Sequence, residues 1–225
     1  MNKNIDLIFF DIGNVLLYRK RNPLDKIAEQ LKLNIEDVKL AHKKAGEHKD
    51  FIPNYKKIRS IEDQHVFSDY AAKLFLDEIG LEHSEKSIEI IKMAWMQQEF
   101  DLSPGALDIL SYLKPKYRLG VISNGMPSRR HYEMAEFELL PYFDPIILSR
   151  EVGVEKPDAS IYNLALNMAK TESSHVAFID DNPSSLGGAY KAGIKKLFQV
   201  TTHNKFELFN EAVEINDLIE LKEYF

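Results

Sequence analysis

Three short segments of the chain, residues 5–10, 119–122 and 176–179, are apolar with almost no polar alternation. A strand buried on one face alternates apolar and polar side chains. A strand covered on both faces does not, which is the habit of a parallel sheet between two helical layers. Residues 145–148 and 196–200 read as two further strands. The stretches 105–114, 128–138, 158–169 and 183–192 carry apolar residues at helical spacing. Ser103 and Pro104 fit an N-cap followed by proline at the first helical position. Gly193 stands where a left-handed residue would end the last helix. Alternating strands and helices imply right-handed crossovers and an α/β fold, a doubly wound parallel sheet of Rossmann-like layout.

Residues 17–100 break this alternation. Leu24, Ile27 and Leu31, then Tyr70, Leu74, Phe75 and Ile79, then Ile88, Ile91 and Trp95 recur at helical spacing, punctuated by Pro23, Pro53 and Gly80. The pattern predicts an all-helical insert over 17–100, within an α/β core made of 1–16 and 101–225. After Val200 it predicts an acidic helical tail over 206–224, packed on the edge of the sheet.

Composition narrows the function classes. A net charge of -6 lacks the basic face of a general nucleic-acid binder. Arg19-Lys20-Arg21, Lys43-Lys44 and Arg129-Arg130 are short runs suited to a solvated surface, with Arg129 and Arg130 close enough to a strand end for a role in substrate binding. The chain has no cysteine, which excludes disulfides, thiolate catalysis and cysteine-held metals. Asp6 and Asp11 interrupt the apolar stretch near the start, so no signal-peptide core is expected, and no run reaches the roughly 20 apolar residues that span a bilayer. These readings predict a soluble, cytoplasmic protein that acts on neither nucleic acid nor membrane. No dinucleotide fingerprint or Walker-type loop is present, so no organic cofactor is expected.

The chemistry sits where the apolar runs end. Asp11 directly follows the first, at the edge of the sheet where open α/β folds bind ligands, and a carboxylate there can act as a nucleophile. Ser123-Asn124-Gly125 follows the second: a hydroxyl, an amide and a glycine suited to gripping an anionic oxygen, or to a plain turn. Lys156, held by Pro157 ahead of a helix, can place a compact positive charge. Asp180 and Asp181 follow the third run, and two adjacent carboxylates call for a hard cation such as magnesium.

Taken in order, acid, hydroxyl, lysine and paired acids resemble the motifs of the haloacid dehalogenase-like hydrolase superfamily over residues 1–16 and 101–225. The segments KPDASIYNLAL from Lys156 and FIDDNPSSLGGAYKAG from Phe178 carry the resemblance most specifically. The helical insert matches the family's cap in position and character. The resemblance implies a magnesium-dependent phosphatase acting on a small phosphorylated metabolite through an aspartyl-phosphate on Asp11. It implies that Ser123 binds the phosphoryl group, that Asn124 and Gly125 lie close to the substrate, and that Lys156 holds nucleophile and phosphate together. Magnesium would be held by Asp11, Asp180, Asp181 and the backbone carbonyl of Gly13.

Gly13 is also the departure. Most phosphatases of this family carry an aspartate there as general acid and base, a group whose loss typically costs about 10²–10⁴ in rate. A substrate with a good leaving group, such as a sugar 1-phosphate or an acyl phosphate, would tolerate the glycine. A residue of the insert, with His42, His48 and Glu47 as candidates, could replace the acid. Two rival readings are a 2-haloacid dehalogenase using Asp11 against carbon, and a non-catalytic descendant that binds phosphate or a partner protein.

Overall fold

The computed structural model describes residues 5–225 other than Gln97, Met126 and Lys205, except for the side chains of Ile61, Pro127, Ser128 and Arg129. It divides into two compact units, Met1–Tyr18 with Asp101–Phe225, and Arg19–Phe100. The chain forms β1 (Leu7–Phe10) and the short β2 (Leu17–Arg19), then α1 (Pro23–Leu31), α2 (Ile35–Glu47), α3 (Phe51–Tyr55), α4 (Ile61–Ile79) and α5 (Glu85–Met96). It returns through β3 (Phe100–Leu102), which pairs with β2. From there strands and helices alternate: α6 (Ala106–Leu113), β4 (Arg118–Ser123), α7 (Pro127–Glu136), β5 (Ile146–Leu148), α8 (Ser149–Val152), α9 (Ala159–Ala169), β6 (Val176–Asp180), α10 (Pro183–Lys191), β7 (Lys196–Val200) and β8 (Val213–Ile215).

The main sheet has the order β5-β4-β1-β6-β7-β8, and every pairing in it is parallel. β1 lies between β4 and β6, with Phe10 opposite Val121 on one side and Ile179 on the other. Its four residues are fully buried, as the unbroken apolar run requires. One face of the sheet packs Phe9, Ile122 and Phe178 against Ile161, Tyr162 and Ala165 of α9 and Leu186 and Ala189 of α10. The register brings the carboxyl ends of β1, β4 and β6 side by side, so the residues just beyond them meet along one edge.

The helical unit has its own core, in which Ile27, Val38, Ala41, Phe75, Leu76 and Ile91 interlock. Its boundaries follow from local chemistry. Asn22 and Asn34 accept from the backbone N–H groups of Leu24 and Glu36, capping α1 and α2. Ser60 and Asp63 form a reciprocal capping box at α4, which ends at Gly80 in the left-handed conformation (φ 72°). Trp95 packs edge-on to Phe75 in this core, whereas Met93 is largely exposed. Glu47 pairs with Lys43, and His48 lies within hydrogen-bond reach of Tyr70. His42 packs near Trp95, and burial lowers its pKa.

The structure corrects three local expectations. The stretch 17–100 is not free of strands at its ends, since β2 and β3 lie there. Ser103 does not cap the next helix: α6 starts at Ala106 behind a left-handed Gly105, and the Ser103 hydroxyl meets His203 Nε2 instead, at 3.1 Å. The tail over 206–224 is not an α-helix. β8 extends the sheet, with Ile215 opposite Val200, and a 3₁₀ turn over Leu218–Glu223 follows. The unpaired edge of β7 offers backbone partners, and a strand can bury Ile215 against it. Among the described residues no helix is long and apolar enough to cross a membrane.

Gly188 fixes the approach of α10 to the loop that carries Lys156. A Cβ built there would lie 2.2 Å from the Pro157 carbonyl oxygen, a backbone atom that cannot swing away. Gly188→Ala is therefore expected to destabilise the fold by about 2 kcal/mol, in the range of core overpacking, as measured by urea unfolding. An unchanged midpoint would show that α10 can retreat freely.

Candidate active site

Asp11 leaves β1 at its carboxyl end, and its backbone N–H donates to the Ile179 carbonyl of β6 at 2.9 Å. This bond continues the sheet by one residue and turns the Asp11 side chain into the edge shared with β6. Asp180 is the last residue of β6 and Asp181 follows it. Carboxylate oxygens of Asp11, Asp180 and Asp181 all lie within 4.8 Å of one another, and all three residues are buried.

Lys156 enters this cluster from the loop before α9. Its ammonium lies 3.0 Å from Asp11 Oδ1 and 2.6 Å from Asp180 Oδ2. Burial by itself would lower the pKa of this lysine, but the Asp11 and Asp180 carboxylates outweigh it and raise the value, so the lysine stays charged. Burial pushes Asp180 up to about 7, with Lys156 opposing the rise and Asp11 adding to it. Burial, reinforced by Asp11, also raises Asp181, against hydrogen bonds from Asn204 and Asn14.

One buried ammonium thus faces three carboxylates. A cation fits this donor set: every candidate ligand atom is oxygen, and the raised carboxyl groups mark a cluster that lacks positive charge. The remaining contacts indicate which oxygens are available. Asp180 Oδ2 is engaged by Lys156, and its Oδ1 accepts from the Asn182 backbone N–H at 2.8 Å. Asp181 Oδ2 accepts from the side-chain amides of Asn204 at 2.5 Å and Asn14 at 3.4 Å, which leaves Oδ1 to a ligand. Asn14 holds a left-handed backbone (φ 58°) in the turn after Gly13.

Ser123 ends β4 beside β1, is 0% exposed, and its hydroxyl has no hydrogen-bond partner among the described residues. A buried hydroxyl without a partner is costly, so its place at the ligand edge suits an incoming oxygen. Asn124, expected close to the substrate, is tied to Lys156. Its side-chain NH₂ donates to the Lys156 carbonyl and its side-chain oxygen accepts from the Lys156 N–H, both at 2.9 Å. That two-point clamp holds the lysine's backbone. The Gly125 N–H donates to Ser149 Oγ at 3.3 Å. Gly13 lies two residues beyond Asp11, bridging to Leu17.

Several contributors carried no sequence signal. Asn14 and Asn204 are such loop amides; Arg130 had a signal, as half of a basic pair suited to a solvated surface or to substrate binding. Arg130 is in fact buried, and donates to Glu133 Oε2 at 2.7 Å. The side chain of Arg129 lies outside the described residues. His203 is half-buried and stacks on Tyr18 at 4.3 Å between ring centres.

Comparison with known proteins gives this arrangement a class. The model of the haloacid dehalogenase-like hydrolases matches residues 5–193. The chain belongs to that family of hydrolases. Among curated relatives, the pyrimidine 5'-nucleotidase YjjG of Escherichia coli (strain K12) is 34% identical over 88 residues, 38% of this chain and only 39% of that protein. The glyceraldehyde 3-phosphate phosphatase of Pyrococcus furiosus is 25% identical over 202 residues, 87% of this chain and 81% of its own. Among solved structures, the HAD-hydrolase YfnB of Bacillus subtilis bound to magnesium superposes with a TM-score of 0.71 at 19% identity, covering 99% of both chains. A 2-haloacid dehalogenase from Pseudomonas syringae pv. Tomato DC3000 shares the fold with a TM-score of 0.67 at 22% identity over 97% of both chains.

The raised carboxyl groups carry a pH signature. Asp180 ionises near its ordinary 3.8 when unfolded and near 7 when folded, so its contribution to the metal-free fold is full below 3.8 and falls away as pH rises towards about 7. In EDTA, wild type is expected to lose melting temperature relative to Asp180→Asn between about pH 5 and about pH 7.5. A divalent cation should restore more at the higher pH, where the ligands are ionised. Equal behaviour of the two proteins across this range would contradict the assignment.

Proposed function

We propose that this protein is a magnesium-dependent phosphatase that hydrolyses a small phosphorylated metabolite through an aspartyl-phosphate on Asp11. The observation that carries the reading is the buried Lys156 ammonium between Asp11 and Asp180, with Asp181 completing the carboxylate cluster. The phosphatase names borne by relatives support it, as does the magnesium described for the superposed YfnB structure.

In this reading Asp11 attacks phosphorus and the leaving oxygen departs. Water then attacks the phosphorus of the aspartyl-phosphate and frees Asp11. Lys156 offsets the repulsion between Asp11 and the anionic phosphoryl group. The Ser123 hydroxyl donates to a phosphoryl oxygen, which gives a partner to a group that otherwise lacks one. Asn124 acts through Lys156 by fixing its backbone, and Gly125 keeps the turn beside the substrate free of side chain. Asp11, Asp181 and the Gly13 carbonyl would hold magnesium, with Asp180 supporting them; when bound, the cation neutralises charge on the transferring phosphoryl group.

Substrate selection is assigned to the helical unit, 19–100. Sugar 1-phosphates and acyl phosphates, which have good leaving groups, are the substrate classes that tolerate Gly13. A cytoplasmic setting is part of the same proposal. A dehalogenase would leave the adjacent Asp180 and Asp181 without a task, and a binding protein would not need a nucleophile held ready by a buried lysine.

Phosphate release from p-nitrophenyl phosphate and a panel of sugar and acyl phosphates tests the proposal. Asp11→Asn is expected to abolish release and EDTA to suppress it, while Ser123→Ala should lower it by about 10²-fold, as for the loss of one preorganised donor. Full activity of Asp11→Asn would overturn the reading.

A further inference from the structure

Arg130 projects from α7 into the space beside the nucleophile, and two glycines make room for it. A Cβ built on Gly125 would lie 2.8 Å from Arg130 Nε and 2.9 Å from its Cγ, so only glycine lets the side chain pass. A Cβ built on Gly13 would lie 3.1 Å from Arg130 Nη2 and 3.9 Å from Asp11 Oδ2. The guanidinium and the Asp11 carboxylate therefore flank one point, the place from which a longer side chain at position 13 would start.

The arginine is held there. It is 8% exposed, and its Nη1 donates to the buried Glu133 at 2.7 Å. Its Nε is buried and has no hydrogen-bond partner among the described residues. A guanidinium that is always charged, anchored on one side and short of acceptors on another, is a receptor for an oxyanion. It cannot serve as a proton donor at neutral pH.

We propose that Arg130 contacts the leaving group and makes the protein selective for acyl phosphates, whose leaving group departs as a carboxylate. This rests on the phosphatase reading above and narrows it. When Asp11 attacks, the P–O bond to Asp11 forms and the P–O bond to the acyl oxygen breaks. The electron pair leaves with a carboxylate that needs no proton and pairs with the Arg130 fork. In the second step water adds to phosphorus, the Asp11 carboxylate departs, and both water protons remain on the phosphate released. Neither step calls for a general acid at position 13. An alkyl ester would expel an alkoxide about as basic as hydroxide, and a bound arginine does not supply the proton that such a leaving group needs.

The experiment compares kcat/KM for acetyl phosphate, p-nitrophenyl phosphate and glycerol phosphate, in magnesium, for wild type, Arg130→Gln, Arg130→Lys and the pair Gly13→Asp with Arg130→Gln. Wild type is expected to favour acetyl phosphate over glycerol phosphate by more than ~10⁴-fold, the upper end of what an absent general acid costs. Arg130→Gln should lower kcat/KM for acetyl phosphate by about 10²-fold and erode its preference over glycerol phosphate, with inhibition by inorganic phosphate preserved. Arg130→Lys keeps a charge for Glu133 and tests the same point if the glutamine variant is unstable; it should lose part of the preference. The paired variant, which restores a carboxyl group and clears its space, should raise glycerol phosphate turnover relative to Arg130→Gln. Equal losses on all substrates, or an unchanged acetyl phosphate rate in both Arg130 variants, would overturn the inference while leaving the phosphatase reading intact. No phosphate release from any substrate by wild type would overturn both.

Discussion

The site depends on one buried cation, the Lys156 ammonium, placed between Asp11 at 3.0 Å and Asp180 at 2.6 Å. Two carboxylates and a lysine taken out of water lose much hydration, and their mutual attraction offsets that loss only when the geometry is held. Removing the lysine would strand charges that the sheet edge cannot solvate, a change that typically costs about 3–5 kcal/mol. The ion pair also leaves the cluster deficient in positive charge, because Asp181 stands in the same space. That deficit suits the edge to a divalent cation and an anionic substrate together.

Much of the core unit serves to keep that lysine in place. Asn124, at the end of β4, grips its backbone at both the N–H and the carbonyl. Gly188 lets α10 press against Pro157. The Tyr162 hydroxyl donates to the Ser185 carbonyl at 2.6 Å and ties α9 to α10 behind the loop. Asp11 is fixed from the other side by its backbone bond to Ile179. The groups of the candidate site thus come from three neighbouring strand ends and one loop, the kind of fixed arrangement that preorganised electrostatics requires.

The parts legible in the sequence were those with a strong one-dimensional signature. Buried parallel strands read as unbroken apolar runs, so β1, β4 and β6 and the residues at their ends could be located. Helical spacing likewise revealed the insert. What escaped was decided by pairing across the chain. The tail has a helical pattern, yet the open edge of β7 draws Val213–Ile215 into the sheet. Ser103 looks like a cap, but Gly105 takes the left-handed turn and His203 takes the hydroxyl. Asn14 and Asn204 matter only because the fold brings both amides to Asp181. Arg130 looks like surface charge until Gly13 and Gly125 are seen to vacate its path.

In the proposed reaction Asp11 becomes covalently phosphorylated during turnover. The most direct measurement is the stereochemical course at phosphorus, using a substrate made chiral with oxygen isotopes. Two successive displacements, first by Asp11 and then by water, predict retention of configuration. Inversion would mean a single direct attack by water and would exclude a phosphorylated Asp11.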